Sequence, residues 1–137
     1  MARAQPEELV RQKLLNHMVE GLGFPRSLIA IEKELKELPH LKNKKVDPKR
    51  RIDILAYAKD IHPSFPLYPL IIIECKAEKI NEDALRQVIS YNETVEAFFI
   101  ALASKDNVKT FWLTKEKKYD SCPFLPSYIE LVKAVTK

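Results

Sequence analysis

Apolar positions along the chain follow two rhythms that alternate with each other. Between 7 and 22, Leu9, Val10, Leu14, Leu15, Met18, Val19 and Leu22 recur at helical spacing behind Pro6, a residue suited to a first helical turn. Gly21 and Gly23 read as the end of that helix, and Pro25 as the turn out of it. The segment 28–35 fits helix or strand by local pattern. Leu28, Ile29 and Ile31 ahead of a polar loop and another strand favour strand. A charged loop, 36–49, is broken by Pro39 and Pro48, and a second strand is predicted over 50–57. Pro63, Pro66 and Pro69 make 60–69 a connecting loop, and the apolar run 70–76 a third strand.

Helical spacing then returns. Leu85, Val88, Ile89 and Val95 form one stripe over 81–97, with Asn81 placed to cap it. Phe98 to Ala103 reads as a fully buried strand and Val108 to Thr114 as its hairpin partner. Pro123 and Pro126 precede a short last helix, 127–135, that Ser127 can cap. The order is helix, three strands, helix, two strands, helix. It predicts one α/β domain over 1–137, a mixed sheet of four or five strands covered by helices.

Composition changes this picture little. At 137 residues, 46% hydrophobic and 31% charged, the chain has ordinary globular composition and enough length for a real core. The absence of a bilayer-length apolar run or a signal-like N-terminus sets the expectation of a soluble, cytoplasmic protein with no membrane partner. Cys75 and Cys122 are too few for a disulfide scaffold, so reduced thiols are expected. The net charge of +4 says less than its clustering, at Lys42 to Lys45, at Lys49 to Arg51 and at Lys115 to Lys118. Such runs suit a phosphate backbone, although each alone is more often a solvated loop.

Candidate chemistry centres on Ile71-Ile72-Ile73-Glu74-Cys75-Lys76. On a strand, Ile72, Glu74 and Lys76 share one face while Ile71, Ile73 and Cys75 share the other. An acid and a base thus emerge together at the end of a buried run, where charge is costly unless paired or bound to a metal. Asp53, in Arg51-Ile52-Asp53-Ile54-Leu55, offers a second carboxylate in an apolar setting. Phosphodiester hydrolysis needs a hard divalent cation, and carboxylate and carbonyl oxygens suit one. Asp53, Glu74 and the Cys75 carbonyl are the candidate ligands, with Lys76 to orient water or stabilise charge. The bland alternative is a structural Glu74–Lys76 pair.

Gln87 and Tyr91 lie one turn apart on a helix face, where they can reach a phosphate or base. Among Glu7, Glu8 and Glu20 of the first helix, Glu8 falls at the edge of the buried face and is the chosen extra carboxylate; Arg11 also falls inward. With the basic loop they give a nucleic-acid-binding set of Gln87, Tyr91, Arg11, Lys44, Lys45 and Arg50. His17, His40 and His62 share no zinc-ligand spacing, and neither a phosphate-binding glycine loop nor a serine nucleophile elbow occurs.

Asp53, Glu74-Cys75-Lys76 and Gln87-x-x-x-Tyr91 together resemble the PD-(D/E)XK nuclease superfamily, and the last element its RecB-like branch. More narrowly the chain resembles the N-terminal nuclease domain of type I restriction enzyme R subunits. Pro6 to Gln12, Gly23-Phe24-Pro25, Arg50 to Ile54 and Ile72 to Ala77 carry that resemblance. It implies a restriction-endonuclease-like core and Mg²⁺-dependent DNA cleavage, with Mn²⁺ able to substitute. Asp53 and Glu74 would then bind metal, Lys76 would assist catalysis, Glu8 would match the first-helix carboxylate, and Gln87 and Tyr91 would support DNA binding or cleavage. Partners would be DNA and a translocase or other restriction subunits. Ile52 stands where the superfamily's name has proline. The rival expectation is a non-catalytic DNA-binding or assembly module on the same fold.

Overall fold

A computed structural model describes residues 6–34, 37, 38, 40 and 51–136. Its elements run α1 (Pro6–Glu20), β1 (Ile29–Glu34), β2 (Arg51–Lys59), β3 (Leu67–Cys75), α2 (Glu82–Val95), β4 (Phe99–Ala103), β5 (Val108–Leu113), β6 (Tyr119–Cys122) and α3 (Tyr128–Val135), with a 3-10 turn at Arg26–Leu28. The six strands form one sheet in chain order. Neighbours are antiparallel except β3 and β4, which are parallel and joined by the α2 crossover. The α/β class and the mixed, helix-covered sheet are therefore as predicted, with one strand more than the predicted four or five. That strand, β6, is a short, largely exposed edge whose Tyr-Asp-Ser-Cys sequence has no apolar alternation to announce it.

The predicted loop 60–69 needs correction as well. β2 and β3 are a long hairpin, and pairing continues through Tyr57↔Pro69 to Lys59↔Leu67. A register shift between Ala56 and Tyr57 accommodates Pro69, which cannot donate to the ladder and is tolerated at such a bulge. The true connection is only 60–66, closed by the Asp60 N–H donating to the Pro66 carbonyl at 3.1 Å.

Helices cover both faces. α1 buries Val10, Leu14 and Met18, at i, i+4 and i+8, and packs with Leu125 and Leu131 against Ile71, Ile73, Cys75, Ala101 and Ala103. Leu9, part of the same apolar spacing, instead stays exposed. On the opposite face α2 buries Ala84, Val88 and Val95 against Ile72, Ile100, Leu102 and Phe111. Both predicted caps are present. Asn81 accepts from the Ala84 N–H, and Ser127 forms a capping box with Glu130.

The core strands β3 and β4 are nearly all fully buried, which explains their unbroken apolar runs. Being parallel, they end at the same edge of the sheet, where the Lys76 N–H still donates to the Ala103 carbonyl at 2.7 Å. Open α/β sheets bind ligands outside the carboxyl ends of their strands. The candidate residues lie at this edge.

Candidate active site

β3 delivers Glu74, Cys75 and Lys76 as alternation requires. Cys75 lies in the α1-side core with Ile71 and Ile73, while Ile72 lies in the α2-side core. Lys76 reaches the α2 side, where its Nζ donates to Gln87 Oε1 at 3.1 Å. Glu74 is half-buried and interacts electrostatically with both Asp53 and Lys76. Its Oε1 has no solvent contact and no hydrogen-bond partner. Burial chiefly, and then the charge of Asp53, push the Glu74 carboxyl up to about 8, against weaker opposing help from the Asp53 backbone and from Lys76.

Asp53 joins the site where the ladder stops. β2–β3 pairing is last seen at Ile54↔Ile73, and beyond it the Cys75 N–H donates to Asp53 Oδ2 at 2.8 Å instead of to a β2 carbonyl. A backbone N–H inside the motif thus fixes one carboxylate beside the other. In a regular strand a residue's N–H and C=O leave on the same side. The Cys75 thiol is pushed up to about 12 by burial and by the neighbouring carboxylates, so it is core filling rather than a reactive group. Both cysteines are free.

Two cavities flank this motif. One, of about 200 Å³, is lined by Glu7, Glu8, Arg11, Glu32, Asp53 and Cys75. The other, of about 300 Å³, is lined by Lys76, Gln87, Asn81, Lys79 and neighbours, and Glu7 borders both. Glu8 therefore does face the Asp53 side, while Glu20 closes the opposite end of α1. Arg11 is tied up within the first cavity, donating to Glu32 at 2.7 Å and to Glu8 at 3.4 Å. Glu32 was not foreseen from sequence. It holds φ at +50°, in the left-handed region, and lies 21 residues from Arg11, so no local pattern announces the pair.

The remaining candidates are more dispersed. Tyr91 packs at the margin of the α2-side core and lines neither cavity. Lys44, Lys45 and Arg50 lie outside the described residues. The basic run Lys115 to Lys118 joins β5 to β6 at the edge opposite the site, because β5 runs antiparallel to β4. Lys79, Lys13 and Lys105, which sequence reading passed over, line cavities at the site's own edge.

These features define an α/β protein with a carboxylate–lysine site at the carboxyl end of its central strands. The chain belongs to the family described as type I restriction enzyme R protein N terminus, whose model it matches over residues 6–126. No curated protein and no solved structure matches it. Among the described residues, no helix is long and apolar enough to cross a membrane.

Proposed function

We propose that this chain is a Mg²⁺-dependent DNA endonuclease domain of the PD-(D/E)XK type, hydrolysing phosphodiester bonds as part of a type I restriction system. The observation that carries the reading is the bond from the Cys75 N–H to Asp53, which sets two carboxylates together with Lys76 two residues on. Membership of the R protein family supports a nuclease role and, with it, DNA and other restriction subunits as partners.

The residues fit a hard cation. Glu74 has a buried oxygen without a partner, and its ionisation is opposed by Asp53; a cation between them relieves both conditions. Two carboxylates and a carbonyl are the oxygen donors that Mg²⁺ or Mn²⁺ prefers. Among the described residues no three His, Cys, Asp or Glu side chains converge as a complete cage. Mg²⁺ needs no such cage, since it keeps several waters and is bound through one or two carboxylates.

When bound, such an ion lowers the pKa of a water and neutralises charge on the phosphate. Asp53, Glu74 and the Cys75 carbonyl would hold it. Lys76, oriented by Gln87 through the 3.1 Å bond, would position a water or offset charge on the phosphate as it is attacked. Lys79 would draw the DNA backbone toward the cavity it shares with Lys76.

Incubation with plasmid and single-stranded DNA plus Mg²⁺ or Mn²⁺ tests this directly. The wild type should cleave, and Asp53→Ala and Lys76→Ala should lose about 100-fold or more in rate. Equal cleavage by all three proteins would mean contamination and sink the proposal. Salt-sensitive DNA binding without cleavage would assign the chain instead to a DNA-binding or assembly module.

A further inference from the structure

The two cavities that flank the catalytic motif carry more acid than base. The one beside Asp53 is lined by Arg11 against four carboxylates, and the one beside Lys76 by two lysines against Glu7, Glu78 and Asp83. A neighbouring cavity of about 260 Å³ reverses that balance, with Lys13 and Lys105 against Asp106 as the one carboxylate of its lining. It lies between α1 and the β4–β5 turn, and Val10, Leu14, Ala103 and Val108 give it an apolar wall. Ala103 pairs with Cys75 in parallel register, so this lining begins one strand spacing, about 4.8 Å, from the motif. Lys105 sits at the tip of a tight turn that the Ser104 N–H closes on the Asn107 carbonyl at 2.8 Å. Among the described residues neither lysine makes an ion pair or hydrogen bond, and both residues are exposed.

We propose that this cavity seats a DNA backbone phosphate next to the scissile one, held between Lys13 of α1 and Lys105 of the β4–β5 turn. The inference deepens the DNA-cleaving reading of Asp53, Glu74 and Lys76 and rests on it. Each strand of B-DNA carries a phosphate about every 3.4 Å along the axis. A strand laid across the carboxyl edge of the sheet, with one phosphate at Asp53 and Glu74, therefore brings a neighbouring phosphate to the cavity beside Ala103. The two lysines supply positive charge there that the acidic cavities lack. Because they come from separate elements, they fix where the phosphate lies as well as attracting it. The apolar wall suits the C–H face of the attached sugar. Lys13 and Lys105 touch no reacting atom, so they act on affinity and not on the chemical step.

The test compares two pairs of substitutions that remove the same charge from different places. Affinity of the full chain for a short labelled DNA duplex is measured over a salt series, with Ca²⁺ in place of Mg²⁺ so that the carboxylates stay neutralised. Lys13→Ala/Lys105→Ala should bind about tenfold more weakly than wild type and lower the salt slope by about one, equally on duplexes of unrelated sequence. Lys13→Arg/Lys105→Arg, which keeps the charge, should bind like wild type. Lys115→Ala/Lys118→Ala, at the opposite edge of the sheet, should leave affinity and slope unchanged, because distant surface charges are screened. Equal weakening by the two alanine pairs would reduce the effect to net charge and overturn the inference. Unchanged binding by Lys13→Ala/Lys105→Ala, its fold checked by circular dichroism, would overturn it too and leave the DNA reading intact. No salt-sensitive binding by the wild type would overturn the DNA reading itself, and this inference with it.

Discussion

Glu74 holds its carboxyl where ionisation is opposed twice, by burial and by the charge of Asp53, and the consequence is measurable without substrate. A carboxyl whose folded pKa is raised, here from 4.5 to about 8, is favoured in its protonated form by folding. The stability it confers is fully present below the unfolded value and is lost as pH rises toward the folded one. In metal-free solution, Glu74→Gln, which mimics the protonated group, should therefore be more stable than wild type at pH 8 by about 2 kcal/mol, allowing for partial solvent screening. At pH 4, below the unfolded value, the two should be alike. Urea melts in the presence of a chelator, run at both values, check this. A pH-independent difference would mean that Glu74 is not the titrating group. The same residue shows why the site was legible in sequence, since an acid and a lysine ending an apolar run are conspicuous. Arg11 and Glu32 were not, because their pairing exists only once β1 and α1 meet.

At the scale of elements, α2 connects stability with the site. Asn81 caps it through the Ala84 N–H at 2.8 Å and also lines the cavity that holds Lys76 and Gln87. Asn81→Ala should cost about 1 kcal/mol of stability and loosen the first turn, which carries Gln87 one turn further on. If cleavage depends on Gln87 steering Lys76, that variant should lose several-fold in rate at temperatures well below its melting point. Thermal melts beside plasmid assays separate the two effects, and a stability loss with no change in rate would show that the cap serves folding alone. This cap, the Ser127 capping box, the amphipathic helices and the buried β3 run were all readable, because each rests on a local rule. What escaped reading was set by neighbours. Pro69 sits in a strand because β2 bulges opposite it, and the polar β6 is a strand because β5 offers it an edge. Leu9 had the right spacing but falls where α1 has no sheet beneath it.

Across the whole molecule, the site exists only as a joint between layers. Asp53 comes from β2, Glu74 and Cys75 from β3, and Glu7, Glu8 and Arg11 from α1, packed over the sheet's first face. Lys76 and Gln87 complete it from the second face. A cation held by Asp53 and Glu74 would therefore cross-link two strands at the point where their ladder has ended, and would bind the folded chain far better than the unfolded one. Mg²⁺ at about 100 times its dissociation constant should add roughly 2.7 kcal/mol of stability, or about 10 °C in Tm for a domain of this size. Because protons compete for Glu74, the gain should be larger at pH 8 than at pH 6. Asp53→Asn should abolish it. Lys76→Ala should keep it while losing cleavage, because the lysine handles the reaction and not the ion. Scanning calorimetry of the three proteins with and without Mg²⁺ distinguishes these outcomes, and an undiminished gain in Asp53→Asn would remove Asp53 from the ligand set.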